Sequence, residues 1–540
     1  MSNLIQDKWL PVRRAKGEIE MIAPWQITEN HDTNPVVALA APRADFNGAL
    51  MQFLIGLVQT TAPPTKADND DWLDWLGQAP APDVLKEKFQ QFQHAFNLEG
   101  DGPRFMQDID ELEGDTKPID ALLIEAPGAQ TLRNNADHFI KRGGVDALCP
   151  ACVVSALFTL QTNAPSGGAG HRTSLRGGGP LTTLAIIDPQ DGNELSETLW
   201  RNVWLNVMRK QDFESLTDGS DKQADEDIFP WLATTRSSNT KQGGRDTYPA
   251  DVNPLQMYWA MPRRIRLDRE NTQTGECDIC GAESDRLVSQ YITQNYGVNY
   301  NGPWKHPLSP HNLDKKDNTP MPQHPQPGGM SYCHWLRFIA GEELSEAAKI
   351  ITAFNKRNPN DALQLRLWAF GYDMDNMKAR CWYETTYPLY RLNDDVRATF
   401  INRTQSLVGA AIEVSKIVRG TIKDAWFKRP GDAKGDTSFL VEAFFQHTET
   451  SFFKHLQRLR KELLSGGDGT AELNTWYAEL KHAALDMFDY WAARGDVSVV
   501  NPRRIAMAHK KLNKLLNAKK LKKMLLLPDK KLPDKKEKAA

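Results

Sequence analysis

No stretch of this sequence approaches the roughly 20 consecutive apolar residues that a membrane-spanning helix needs, which argues against an integral membrane protein. The opening residues, Met1-Ser-Asn-Leu-Ile-Gln-Asp-Lys8, lack a basic region followed by an apolar run, so no secretory signal is expected. Cysteine is scarce, six in 540 residues, too few for a disulfide framework and consistent with a reducing compartment. The expected location is cytoplasmic. Catalytic signatures are also missing. There is no Walker A sequence, GxSxG or HExxH. His31-Asp32 is an isolated pair, Asp225-Glu-Asp227 reads as a solvated acidic run, and the adjacency of Cys333 and His334 does not define a dyad. The expectation is a protein that is not an enzyme. The alternative kept open is a metal-dependent nuclease or phosphohydrolase acting on nucleic acid.

Of the six cysteines, four fall in two Cys-x-x-Cys pairs, Cys149-Pro-Ala-Cys152 and Cys277-Asp-Ile-Cys280. Two thiolates at this spacing fit on one tight turn, and two such turns supply the four soft ligands of a closed structural Zn²⁺ site. The bland alternative is buried free thiols. With 124 residues between the pairs, a shared metal would staple distant segments together. Cys333 and Cys381 read as packing residues.

Glycine is concentrated between the pairs, in Ser166-Gly-Gly-Ala-Gly-His-Arg-Thr-Ser-Leu-Arg-Gly-Gly-Gly179. Glycines let backbone amides approach a ligand closely. The interleaved His171, Arg172 and Arg176 suit such a loop to a phosphate backbone or a groove. Upstream, Asn134 to Gly144 is polar and turn-rich, with Phe139 beside Lys141 and Arg142, a combination that can stack on a base while neutralising phosphate. Downstream, Gly371-Tyr-Asp-Met-Asp-Asn-Met-Lys-Ala379 reads as an exposed turn whose Met377 could act as an apolar wedge between base pairs. An ordinary surface loop and a gap-filling core methionine are the competing readings of these two segments.

Periodicity places a hairpin within Ile5–Ile27, a buried helix over Phe46–Val58 capped by Asp45, and a helix from Asp83. A strand is expected at Leu181–Ile187, a polar surface excursion at Lys210–Gln242 and a long loop at Lys305–Gly329. From Asn393 onward, apolar residues at helical spacing mark four long segments separated by Gly/Asp-rich breaks. The net charge of −3 conceals an asymmetry. Residues 501–540 hold fourteen lysines and arginines against three acids, a basic end suited to a polyanion. The fold class expected is α+β. Residues 1–391 are expected to form a large mixed α/β domain with a structural zinc site, 392–520 a C-terminal four-helix bundle, and 521–540 a basic, flexible tail.

Together, Ile5-Gln-Asp-Lys-Trp-Leu-Pro-Val12, Arg104-Phe-Met-Gln107, the two Cys pairs, Gly167 to Gly178, Trp304-Lys-His-Pro307 and Gly371-Tyr-Asp-Met-Asp-Asn376 resemble the large subunit, CasA, of the type I-E CRISPR surveillance complex Cascade. The resemblance implies a non-catalytic subunit that recognises a protospacer-adjacent motif in duplex DNA through the minor groove. It would start R-loop formation and support recruitment of a helicase–nuclease. The implied partners are the other Cascade subunits, guide RNA and double-stranded target DNA, with no membrane. By the same resemblance Gly167, Gly168, Ala169, Gly170, Asn295 and Tyr296 would read the motif. Asn376, Met377 and Lys378 would wedge the duplex, and Phe139, Ile140 and Lys141 would anchor the subunit near the guide-RNA handle. The chain departs from the family pattern at Met377, Ala169 and Asn295. Asn both donates and accepts where a Lys only donates, which shifts the motif readout.

Overall fold

The computed structural model describes residues 1–128, 132–133, 143–168, 170–189, 196–217, 220–357, 363–375, 378–390, 394–432, 435–494 and 501–527. It is a mixed helix-and-sheet protein with a helical C-terminal region. The chain divides into two compact units, one formed by Met1–Pro327 with Gly341–Tyr390 and the other by Gly328–Ala340 with Arg391–Ala540. Among the described residues no helix is long and apolar enough to cross a membrane.

The first unit is built around helix α1, Ala44–Thr61, buried along nearly its whole length. Asp45 lies in its first turn rather than at the cap, which is Arg43. An all-round apolar helix has no face to give to water and must be surrounded. Phe53 at its middle meets Trp9, Phe96, Phe105, Phe158 and Trp259 edge-on, with ring centroids 5.4–6.0 Å apart, the geometry that ring quadrupoles favour. Helix α2, Pro150–Asn163, also packs on α1.

Short sheets frame this core. Strands β1 (Leu10–Arg14) and β2 (Ile19–Ile22) form the expected hairpin, with Gly17 at φ +98° in its turn, and β3 (Val36–Leu39) pairs on the other side of β1. Strand β4 (Asp115–Pro118) and β6 (Arg264–Leu267) flank β9 (Gln290–Gln294), while β7 (Gln273–Glu276) pairs with β8 (Glu283–Leu287). Strand β5 (Thr182–Ile187) is the edge of a sheet whose other members are β13 (Leu365–Asp375) and β14 (Lys378–Leu389). The free edge of β5 is buried, and its backbone groups need partners. Asn206 and Asn202 supply them. Asn206 Oδ1 accepts from the Ala185 amide at 2.8 Å, its Nδ2 donates to the Ala185 carbonyl at 2.7 Å, and Asn202 Oδ1 accepts from the Ile187 amide at 2.8 Å.

Three expectations are corrected. Residues 210–242 are not a solvated excursion, because Phe213, Ile228, Phe229 and Trp231 are buried. Polar composition masked anchors spaced too widely to show a period. Residues 305–329 carry strands β10 (His311–Leu313) and β11 (Pro320–Pro322), which pair with each other, and β10 also pairs with β12 (Ser345–Glu346). The turn read at Gly371–Ala379 is instead strand up to Asp375, with Gly371, Tyr372 and Asp373 buried.

In the second unit, helices α3 (Asp394–Trp426), α4 (Phe439–Leu464), α5 (Thr470–Ala492) and α6 (Pro502–Leu516) pack along one another. Tyr332 from the Gly328–Ala340 segment is fully buried among them. It stacks on Phe452 with centroids 4.2 Å apart and its hydroxyl lies 2.8 Å from Thr448 Oγ1. The basic end starts in α6 and continues into α7 (Lys519–Met524), so the segment expected as a flexible tail from residue 521 begins within a helix, with Leu521 and Leu525 buried.

Candidate nucleic-acid interface and metal centre

The four paired cysteines converge. Cys149 is the N-cap of α2 and Pro150 its first residue, a position that Pro favours because it has no N–H to leave unsatisfied. This puts Cys152 on the first turn. Cys277 and Cys280 lie between β7 and β8, where Gly281 at φ +70° reverses the chain and its amide donates to the Cys277 carbonyl. All four sulfurs lie within 4.8 Å of one another, and Cys149 Sγ and Cys280 Sγ are 3.6 Å apart. Sulfurs about 2.3 Å from a tetrahedral Zn²⁺ would be separated by about 3.8 Å; the cluster fits a metal, whereas 3.6 Å is far too long for a disulfide. The Cys149 amide donates to Cys277 Sγ at 3.3 Å. Asp278 fastens the two turns by accepting from the amides of Asp146 and Ala147, both at 2.7 Å.

Thiols this close compete for charge. Hydrogen bonds from Cys149 and Cys152 pull Cys277 well down, while contacts with Cys149 and Cys277, aided by burial, push Cys152 up. Cys149 is pushed up to about 12: a hydrogen bond with Cys152 lowers it, but the contact with Cys277 and burial prevail. Such a set is fully ionised only around a cation, and these four residues could hold one.

The α2 helix carries the chain from the cluster into the glycine loop. Ser166, Gly167, Gly168 and Asn295 are exposed and Tyr296 is half-buried. The loop closes on itself through the Gly167 amide, which donates to the His171 carbonyl at 3.2 Å. It is tied to the Asn295–Tyr296 segment by the Tyr296 amide, which donates to the Gly170 carbonyl at 2.7 Å. Gly170 sits at φ +85°, and a Cβ there would fall 2.8 Å from Asn295 Cβ. Both the dihedral and the close approach require glycine. Tyr296 holds a left-handed φ of +63° without being glycine, strain of a kind that clusters at functional sites.

Arg172 and Ser238 brace this junction. Arg172 Nε donates to Ser238 Oγ at 2.8 Å and its guanidinium lies 6.0 Å from the Tyr296 ring centroid. Ser238 Oγ in turn donates to the Gly297 carbonyl at 2.7 Å. Burial, followed by the nearby Arg263 and Lys117 cations, holds His171 below its ordinary value, so it is neutral near pH 7. Arg176, read with the loop's exposed cations, is instead 3% exposed and faces the core. The role of Ser238 left no trace in the sequence, because a serine 66 residues from Arg172 in the chain resembles any other.

Strands β13 and β14 are paired along their whole length, with Asp375 opposite Lys378. Lys378 is exposed at the start of β14. Arg380 grips Asp373 in a two-point bond, Nε to Oδ2 at 3.0 Å and Nη2 to Oδ1 at 2.6 Å. Tyr372 Oη donates to buried Asp45 at 2.6 Å. The base of this ribbon is therefore rigidly held. Asn376 and Met377, which join the strands, and Ala169, Phe139, Ile140 and Lys141 lie outside the described residues.

The comparisons with known proteins agree with one another. CasA of Thermus thermophilus is 16% identical, with a TM-score of 0.70 over 95% of this chain and 99% of that one. Cse1 of Thermobifida fusca is 17% identical, with a TM-score of 0.71 over 97% and 98%. A chain of a structure described as a CRISPR RNA-guided surveillance complex is 15% identical, with a TM-score of 0.63 over 96% and 100%. At these identities the likeness is one of fold. A family model described as CRISPR-associated protein Cse1 matches residues 3–487. The chain thus belongs to the Cse1 family, the CasA large subunits that its sequence motifs resemble.

Proposed function

We propose that this chain is the non-catalytic large subunit of a cytoplasmic guide-RNA surveillance complex. It recognises a short motif in target duplex DNA through the minor groove and opens the duplex beside it. Family membership supports the assembly, as does likeness to a chain of a CRISPR RNA-guided surveillance complex. The observation that carries the DNA reading is the bond from the Tyr296 amide to the Gly170 carbonyl, which fastens the exposed Gly167–Gly168 backbone beside the exposed Asn295. Exposed glycine backbone beside one exposed amide side chain, Asn295, suits the minor groove, whose code is mostly A·T against G·C.

In this reading Asn376, Met377 and Lys378 part the first base pairs, and Phe139, Ile140 and Lys141 dock the guide-RNA handle. Cys149, Cys152, Cys277 and Cys280 hold a structural zinc ion, and the C-terminal helices form a four-helix bundle. The other subunits, guide RNA, target duplex and a recruited helicase–nuclease are the partners. The deciding experiment adds this chain to a guide-RNA complex lacking its large subunit and titrates duplexes with and without candidate motifs. Restored tight, motif-dependent binding is expected. Binding that is equal for every motif and falls uniformly with salt would reduce the chain to a polyanion binder.

A further inference from the structure

The last two described helices carry charge of one sign. Helix α6 holds five lysines and arginines and α7 four, and residues 501–527 contain no aspartate or glutamate. Both helices lie beyond residues 3–487, which the family model matches. Arg503, Lys510 and Lys514 fall at i, i+7 and i+11 on α6, which sets them within about 40° of one another around its axis and over about 17 Å along it. All three are exposed, as are Lys519, Lys520 and Lys523 on α7.

Part of this charge is answered within the protein. Lys511 pairs with Asp424 at 2.6 Å and Lys520 with Glu413 at 2.7 Å, both acids on α3, and Arg504 donates to the Ala425 and Trp426 carbonyls at the end of α3. Among the described residues Arg503, Lys510, Lys514, Lys522 and Lys523 form no ion pair. The apolar side of the two helices is also taken up. Ala508, Leu512, Leu516, Leu521 and Leu525 are buried as α6 and α7 pack on α3. A face that serves only solubility intersperses both signs, and this one does not.

We propose that the outer face of α6 and α7 docks the phosphate backbone of duplex DNA without regard to sequence. Duplex DNA carries one negative charge per ~1.7 Å of its axis, so a straight row of cations meets several phosphates at once. Other polyanionic partners fit less well. Single-stranded nucleic acid is held by aromatic side chains that stack on its bases, and residues 501–527 contain no Phe, Tyr or Trp. An anionic membrane takes up the apolar face of an amphipathic helix. Here that face is buried, and the large apolar side chains left exposed, Met507 and Leu526, are far apart in the chain. The surface belongs to the second unit and needs none of the motif-reading residues of the first.

The test is fluorescence anisotropy of the full chain with a labelled, motif-free duplex of about 30 base pairs, titrated between about 50 and 200 mM salt. The variant combines Lys510→Gln, Lys514→Gln and Lys523→Gln, three exposed lysines. With three phosphate contacts removed, the slope of log affinity against log salt should become shallower by about 3, and affinity near ~0.1 M salt should fall about tenfold or more. Lys16→Gln, Lys66→Gln and Lys316→Gln together remove the same charge from exposed positions of the first unit and should leave both quantities unchanged. Equal losses in the two triple variants would overturn the proposal. So would tighter binding to an oligo-dT strand of the same length, or to phosphatidylserine–phosphatidylcholine vesicles, than to the duplex. Motif reading is judged separately, by the ratio of affinities for motif-bearing and motif-free duplexes in the assembled complex, and that ratio should persist in the α6–α7 variant.

Discussion

At the scale of single residues, two glycines in one loop separate folding from recognition. Gly168 and Gly170 both have φ near +85°, but a Cβ on Gly168 would meet nothing within 4 Å, while one on Gly170 would strike Asn295 and Tyr296. Gly170→Ala should therefore lower the stability of the isolated chain by about 2 kcal/mol or more, combining left-handed strain with a clash, and should disturb Asn295 as well. Gly168→Ala should carry only the strain, about 1 kcal/mol, yet weaken motif-dependent binding if the loop's backbone enters the groove. Denaturant unfolding and duplex titration of both variants check this; full affinity in Gly168→Ala would remove the loop from the groove. Asn295→Ala should weaken binding about tenfold on motif-bearing duplexes alone. The glycines and Asn295 were legible in the sequence as types. Their contact was not, because a hydrogen bond between residues more than 120 positions apart has no local signature. Arg176 shows the opposite failure. A cation among glycines reads as exposed, and only the packing of Gln52, Thr182 and Ser309 around it reveals a core residue.

At the scale of elements, the long amphipathic helices were the most readable part, since apolar spacing over many turns is a strong signal. The ribbon β13–β14 was not legible as paired strands. Gly371 suggested a turn, but it serves close packing, because a Cβ there would lie 2.7 Å from the Pro180 carbonyl oxygen. With its base fixed by Arg380–Asp373 and Tyr372–Asp45, the ribbon can transmit force to whatever it carries. Met377→Ala combined with Lys378→Ala should therefore slow opening of a duplex target while sparing a pre-melted one, as stopped-flow fluorescence of a labelled duplex would show. Equal loss on both substrates would exclude a wedge. In the helical unit, Tyr332→Ala should cost about 3–5 kcal/mol through the cavity left against Phe452. Tyr332→Phe should cost only about 1 kcal/mol, one hydrogen bond. Chemical denaturation distinguishes the two. This anchor was invisible in the sequence, because a tyrosine in a segment without helical periodicity gives no sign of which helices it joins.

At the scale of the whole first unit, the cysteine cluster brings together the segments that precede the two loops, the convergence expected from the two Cys pairs in the sequence. Cys149 and Cys152 open the helix that leads into the glycine loop, while Cys277 and Cys280 precede β8 and β9, the latter ending one residue before Asn295. A metal here would fix the start of the helix that leads into one loop relative to the strands that lead into the other, so its removal should act on recognition as well as stability. The purified chain is expected to hold about one zinc per molecule by elemental analysis. Chelation, or Cys277→Ser, should lower Tm, and motif-dependent binding should fall before the helical unit unfolds, because the helical unit contains none of the four ligands. The order of loss is the informative readout. Circular dichroism at about 222 nm follows the helices while duplex titration follows the loops. A metal-free chain that keeps both Tm and motif discrimination would show that the four thiols pack without a metal. The glycine loop and Asn295 would then be held together by the Gly170–Tyr296 hydrogen bond and its Arg172–Ser238 brace alone.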